Sequence, residues 1–256
     1  MGRFCRGPFK GDQAAMILNS GLTVFIPVYN EEDLLIPNTA RLVKFIDRCK
    51  IPYEIIIASN GSTDKTVELA ERLCSGNPNI RFFHLPAKGV GAAFRKGVKI
   101  AAYDRIVTVD MDLSINLDFI DRAYRLLDRY DIVIGSKITG SQKRSWLRKT
   151  ASNTFISLAK LLIRIDFHDY SIAAKGYKKE VVEKYLSCID DKTFYVVKIV
   201  CRACHDGRRL VEIPVQCVDT RESRFNLVHE GVYKFGNLFL LWFFSLFFPP
   251  SGNGKA

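Results

Sequence analysis

Apolar residues recur along this chain in two alternating rhythms. Short, nearly unbroken apolar runs of strand length alternate with stretches in which apolar positions return every three or four residues. Leu22–Val28, Tyr53–Ala58, Ile80–His84, Ile106–Val109 and, more briefly, Asp131–Ser136 are runs of the first kind. Helical rhythms lie between them. One follows Pro37, with Leu42, Val43, Ile46 and Cys49 on a single face. A second carries Val67, Ala70, Leu73 and Cys74, with Ser62 or Thr63 as its N-cap. A third opens at the glycines of Lys88–Gly97, and a fourth spans Phe119–Tyr130. Strands alternating with helices predict an α/β chain: a doubly wound, mostly parallel sheet with helices on both faces.

The pattern changes after residue 136. Residues 137–165 hold seven Lys or Arg and no Asp or Glu, with Phe155, Leu158, Ala159 and Leu162 as an apolar stripe. Such a basic amphipathic segment suits a membrane surface or, equally, a core-packed helix with a solvated basic face. A helix near Phe194–His205 and a strand near Arg209–Val218 follow. The last apolar run, Leu238–Phe248, is eleven residues long and bounded by Asn237 and Pro249. A spanning helix needs roughly 20 apolar residues. Its six aromatics would be awkward on a soluble surface, so the run either dips into a membrane interface, the favoured reading, or packs on the domain. The expected organisation is a loose tail over 1–21, one domain over 22–228 and an aromatic-rich interfacial segment over 229–256.

Charge narrows the partners. The 256 residues carry 38 Lys and Arg against 27 Asp and Glu, a net +11. An anionic partner follows: nucleic acid, a lipid surface or a phosphorylated substrate. No stacking-aromatic motif or recognised nucleic-acid fold accompanies the charge, so nucleic acid is the weaker choice. Seven cysteines at scattered positions do not form a disulfide framework and favour a reducing compartment. Cys201-x-x-Cys204 has no second pair at zinc spacing.

The candidate chemistry sits at strand ends. Ile106–Val109 reads as a buried strand that runs into Asp110-Met-Asp112, two carboxylates at i and i+2. The carboxyl ends of strands are where open α/β sheets bind ligands. Two carboxylates there can share Mg²⁺ or Mn²⁺, whose remaining ligands come from a substrate diphosphate. Three further loops fall on the same predicted edge: Pro27–Glu32, Ser59–Asp64 and Lys88–Gly97. Lys88, Gly89 and Gly91 can approach a phosphate with backbone amides and one ammonium.

Pro27-Val-Tyr-Asn-Glu31, Asn60-Gly-Ser-Thr-Asp64, Lys88-Gly-Val-Gly-Ala92 and Asp110-Met-Asp112 occur in that order. Gly135-Ser-Lys137, Arg148-x-x-x-Ser152 and Arg221-x-Ser-Arg224 follow. With these motifs, from about Leu22 to Phe225, the chain resembles the family 2 inverting glycosyltransferases of GT-A fold. Within them it is most similar to the dolichyl-phosphate mannose synthase and glucosyltransferase group. The resemblance implies transfer of a hexose from a nucleotide diphosphate sugar, GDP-mannose or UDP-glucose, to a polyprenyl (dolichyl) phosphate. It implies that Pro27, Tyr29, Glu31 and Asn60 line the nucleoside pocket. Asp110 and Asp112 would hold the metal on the diphosphate. Lys137, Arg148, Ser152 and Arg221 would face the acceptor phosphate or the leaving diphosphate.

An acceptor phosphate is already ionised, so its attack needs cations and no base; a sugar hydroxyl would need a carboxylate. The acid-free basic segment fits the phosphate. The alternative is a family 2 enzyme that glycosylates a hydroxyl of a lipid-linked or cell-surface glycan, with Asp169, Asp190 or Asp191 as base. A sugar-nucleotide-binding protein without activity is a third reading, against which the intact aspartate pair stands. The expected location is the cytoplasmic face of a membrane.

Overall fold

In chain order the elements are β1 (Phe4–Cys5), β2 (Leu22–Val28), α1 (Glu32–Cys49), β3 (Tyr53–Asn60), α2 (Thr66–Gly76) and β4 (Ile80–Leu85). Then come α3 (Val90–Ile100), β5 (Arg105–Thr108), α4 (Asp118–Leu126), β6 (Ile132–Lys143), α5 (Trp146–Ile163) and β7 (Lys175–Lys178). The chain closes with α6 (Lys179–Glu183), α7 (Tyr195–His205), β8 (Leu210–Val218) and α8 (Leu227–Phe247). The structure, a computed structural model, describes residues 4–5, 20–143, 146–163, 167–169, 172–218 and 227–247.

The eight strands form one sheet in the order β1-β4-β3-β2-β5-β7-β6-β8. The run β4-β3-β2-β5 is parallel, as is the β6–β8 pair. β7 is inserted antiparallel to both neighbours, with Lys175 opposite Thr108 of β5 and Ile134 of β6. Parallel strands buried on both faces require near-continuous apolar sequence. Accordingly, every residue of β3 is buried.

Helices cover both faces. One layer joins α1, α2 and α4 to Val24, Ile26, Ile55, Ile57 and Val107. The other joins α3, α5, α6, α7 and Leu238 of α8 to Phe25, Ile56, Phe83 and Ile106. Each fully buried Ile or Phe in these layers contributes about 1.5–3 kcal/mol. Alternation along β2 makes the division: odd and even positions feed opposite layers.

Several boundaries differ from the sequence reading, each for a physical reason. α1 starts at Glu32, not after Pro37. Proline removes one N–H and leaves the rest of the helix able to bond, while Glu32 and Asp33 suit the positive helix start. Neither Ser62 nor Thr63 caps α2. The Thr66 N–H donates to Asp64 Oδ1 at 3.0 Å, and Thr66 Oγ1 accepts the Glu31 N–H at 2.8 Å. Phe4–Cys5 pairs with Phe83 and Phe82 of β4, so that part of the expected tail is a strand. Residues 6–19 lie outside the described residues.

α8 extends the expected C-terminal segment backwards to Leu227. Its inner face packs on α5: the Phe155 and Phe235 rings meet edge-on at 5.5 Å, and Leu238 is buried. Its outer face leaves Val232, Phe239, Leu240 and Phe243 exposed. The α5 stripe expected at Phe155, Leu158, Ala159 and Leu162 faces the core. Among the described residues no helix is long and apolar enough to cross a membrane.

Candidate active site

The loops that follow β2, β3, β4 and β5 gather at the carboxyl edge of the parallel strands. β5 ends at Thr108, and the chain then turns through Asp110–Ser114. Leu113 adopts a left-handed conformation, φ 48°. That geometry costs a branched residue about 1–2 kcal/mol. Local bonds hold it: Leu113 N–H donates to the Asp110 carbonyl at 3.1 Å, and Ser114 N–H to Asp112 Oδ1 at 3.0 Å. Across the layer, Asn38 of α1 donates its Nδ2–H to the Met111 carbonyl at 2.9 Å. Asn38 is buried between Leu35 and Leu42, and a polar residue at such a position was the sequence signal for this support.

Asp110 is exposed at the carboxyl end of β5. Its carboxyl is pushed up to about 7, first by desolvation, then by the Asp112 and Glu31 carboxylates, against the pull of Lys137 and Lys175. Glu31 therefore lies within electrostatic reach of the aspartate pair. Two hard carboxylates at i and i+2 just past the end of the strand fit a divalent cation. Asp110 and Asp112 are the residues that would hold it.

Asn60 ends β3, buried. Its Nδ2 donates to the Val28 carbonyl at 2.9 Å and its Oδ1 accepts the Gly89 N–H at 3.3 Å. These two partners fix the orientation of the amide. Asn60 thus stitches three of the site loops together. Gly61, at φ 78°, turns the chain beneath Lys88, where a Cβ would meet the Lys88 nitrogen at 2.9 Å. Asn30 and Thr63 bond reciprocally, and Lys88 Nζ lies 3.8 Å from the centre of the Tyr29 ring.

The glycine loop departs from the expected phosphate cradle. The N–H groups of Gly91 and Ala92 donate to the Asp191 carbonyl, at 2.9 and 3.3 Å, and that of Gly89 to Asn60. Gly91 is needed for another reason: a Cβ there would sit 2.1 Å from the Asp190 carbonyl oxygen. These glycines admit the 190–192 loop against the start of α3. Lys88 remains as the group of this loop suited to a phosphate.

Lys137 also departs from expectation. It is buried and does not present its ammonium to solvent. Its Nζ lies 3.3 Å from Asp169 Oδ2, and its N–H donates to the same oxygen. Asp169 is likewise buried, and its Oδ1 accepts the Ile172 N–H at 3.2 Å. Lys175, on β7 and wholly buried, donates to the Ile172 carbonyl at 2.8 Å. Burial lowers its ammonium to about 8, with Asp169 opposing that shift. Two buried cations thus lie under Asp110. Nothing in the sequence of β7 revealed Lys175, because a lysine between alanine and glycine does not read as core.

Pro27, Tyr29, Glu31, Asn60, Lys88, Gly89, Gly91, Asp110 and Asp112 come together at this edge, with Lys137 beneath it. Arg148 and Ser152 lie on α5, where their side chains fall outside the described residues, as Arg221 does entirely.

This arrangement is that of the GT-A fold. The fold matches glucosyl-3-phosphoglycerate synthase of Mycobacterium tuberculosis solved with Mn²⁺, uridine diphosphate and phosphoglyceric acid. The TM-score is 0.63 at 14% identity, over 87% of this chain and 78% of that one. S. aureus TarS 1–349 with UDP-GlcNAc matches at 0.57, again with 14% identity, over 86% of this chain and 66% of that one. The profile of glycosyl transferase family 2 matches residues 23–186, and the chain belongs to that family.

Curated relatives include polyprenol monophosphomannose synthase of Mycolicibacterium smegmatis, 29% identical over 232 residues, 82% of this chain and 86% of that protein. Glycosyltransferase AglD of Haloferax volcanii is 26% identical over 85% of this chain. Undecaprenyl-phosphate 4-deoxy-4-formamido-L-arabinose transferase of Edwardsiella ictaluri is 29% identical over 81%. The chain spans 36% and 63% of the length of those last two.

Proposed function

We propose that this protein transfers a hexose from a nucleoside diphosphate sugar to a polyprenyl phosphate, with inversion, at the cytoplasmic surface of a membrane. The observation that carries the donor half is the placement of Asp110 and Asp112 just past the end of β5, at the carboxyl edge of the parallel strands. The acceptor half is supported by the match to a polyprenol monophosphomannose synthase over 86% of its length.

Asp110 and Asp112 would hold Mg²⁺ or Mn²⁺, which would supply positive charge to offset that of the diphosphate. The protein's own groups do the rest. Tyr29 and Asn60 wall the nucleoside, with Pro27 and Glu31 beside them. Lys88 places an ammonium at the diphosphate. Lys137 and Lys175 hold positive charge beneath the aspartates and keep Asp110 from rising further. Such fixed charges act where negative charge develops and need no reorganisation during the reaction. Arg148, Ser152 and Arg221 take the acceptor phosphate. The acid-free basic sequence of residues 137–165 and the exposed apolar face of α8 bring the protein to anionic lipid, where the acceptor resides.

The hydroxyl-acceptor alternative is less well supported. Asp169 is buried in an ion pair with Lys137, and Asp190 accepts a hydrogen bond from Tyr233. Neither stands as an open base, and the third candidate, Asp191, is exposed but paired with Arg95 at 2.8 Å. The test is transfer of radiolabel from GDP-mannose and UDP-glucose, in parallel, to dolichyl phosphate with Mg²⁺ or Mn²⁺. Label entering the organic phase with one donor, and lost on adding EDTA, is the expected result. No lipid product with either donor, despite metal-dependent nucleotide binding, overturns the reading.

A further inference from the structure

The loop between α6 and α7 touches both the donor site and the lipid-facing helix. Arg95 of α3 grips it with three bonds: to the Leu186 and Ile189 carbonyls, at 3.0 and 2.8 Å, and to Asp191 Oδ1 at 2.8 Å. The Asp191 carbonyl closes on the Gly91 and Ala92 amides. Beyond the loop, Tyr195 of α7 is pushed up by burial and by the carboxylates of both Asp110 and Asp190. Asp110 and Asp190 thus both lie within electrostatic reach of Tyr195.

Asp190 is held from the other side. Tyr233 of α8 donates its O–H to Asp190 Oδ1 at 2.7 Å, and the Lys192 N–H donates to the same oxygen at 2.9 Å. The Lys192 ammonium lies 5.1 Å from the centre of the Tyr233 ring. The second oxygen, Oδ2, is buried without a hydrogen bond, and Lys198 Nζ stands 3.8 Å away. A buried carboxylate oxygen left unsatisfied is unfavourable by about 1–3 kcal/mol or more. The carboxylate keeps this position because the Tyr233 bond and the Lys198 charge offset that penalty.

We propose that Tyr233 is a positioning residue that couples docking of α8 on lipid to the setting of the Asp190–Lys192 loop beside the donor site. The proposal rests on the membrane docking argued above. Tyr233 lies on the same helix as Val232, Phe239, Leu240 and Phe243, whose side chains are exposed. A helix seated by that face on lipid is restrained, and Tyr233 transmits the restraint to Asp190. The loop then holds the start of α3 and the environment of Tyr195 in one geometry.

The test compares wild type with Tyr233→Phe by amide hydrogen exchange over residues 189–192. Both are measured with and without phosphatidylcholine–phosphatidylserine vesicles containing dolichyl phosphate. In wild type, protection of these amides is expected to rise several-fold when vesicles are added. In Tyr233→Phe the rise is expected to vanish while co-sedimentation with vesicles is unchanged. Turnover on vesicles is expected to fall about tenfold, the scale of one lost hydrogen bond to a charged group, with KM for the sugar nucleotide little changed. Asp190→Asn combined with Tyr233→Phe is expected to be no worse than the poorer single variant. Equal protection changes in wild type and Tyr233→Phe overturn the proposal. A turnover loss equal on vesicles and on a short water-soluble prenyl phosphate also overturns it, because that is a merely structural effect. Absence of any lipid product from wild type contradicts the proposed function instead, and the exchange measurement still decides the coupling.

Discussion

Lys137 and Asp169 form an ion pair sealed from solvent, 3.3 Å apart, directly beneath the aspartates at the end of β5. Removing one partner of such a pair leaves a buried charge uncompensated, typically at 3–5 kcal/mol. Lys137→Met and Asp169→Asn are each expected to lower stability by about that order. Lys137→Met combined with Asp169→Asn is expected to cost less than the sum of the two single changes, because either one already breaks the pair. Thermal melts of the four proteins make the cycle, and an unchanged melt for Lys137→Met would contradict the buried pair.

Gly91→Ala places a methyl group 2.1 Å from the Asp190 carbonyl oxygen and 2.8 Å from that of Lys192. Both obstacles are backbone, so the loop must move. A loss of about 1–3 kcal/mol, as for other overpacking changes, is expected together with loss of transfer. Gly236 supplies the control: it lies within α8 with nothing near its Cβ position. Gly236→Ala is expected to gain about 0.5–1 kcal/mol from helix propensity. Chemical denaturation of both variants checks the contrast.

Much of this architecture was legible in the sequence. Leu22–Val28 was bounded correctly because a parallel strand buried on both faces leaves an unbroken apolar run between polar loops. The aspartates were placed at a strand end for the same reason. β7 was not legible: Lys175-Gly-Tyr-Lys178 has neither alternation nor an apolar run, and it is a strand because β5 and β6 both pair with it. The start of α8 was hidden by Lys234 and Asn237, which break the apolar run without breaking the helix. The Tyr233–Asp190 bond joins residues 43 apart, and no local pattern announces it. The glycines of Lys88–Ala92 were read as a phosphate cradle. Their N–H groups instead serve Asn60 and Asp191, a distinction only tertiary contacts reveal.

Lys175 ties stability to pH. Its folded-state value, about 8, lies below its ordinary 10.5. Between those values the unfolded chain binds more protons, so the contribution of this group to stability rises with pH from about 8 to 10.5. Lys175→Met is expected to flatten that part of the stability curve, measured by urea unfolding across the range. A mutant curve parallel to wild type would show that Lys175 is not the group responsible.

Asp112→Ala removes one of the two carboxylates while leaving Asp110 and the strand core in place. Transfer is expected to fall by at least a hundredfold, with Mn²⁺ affinity lost and the melting temperature within a few degrees of wild type. Activity assays, Mn²⁺ binding by electron paramagnetic resonance and melts check this together. Near-normal turnover in a well-folded variant would remove the metal assignment.

The most direct test of the account is acceptor choice. The purified protein would be given the labelled sugar nucleotide it uses, with vesicles that differ only in carrying dolichyl phosphate or the unphosphorylated alcohol, dolichol. Label is expected in lipid from the phosphate alone, because the site supplies cations while Asp169, Asp190 and Asp191 are each already paired. Comparable label from dolichol would contradict the account and require a catalytic base that the paired Asp169, Asp190 and Asp191 do not provide.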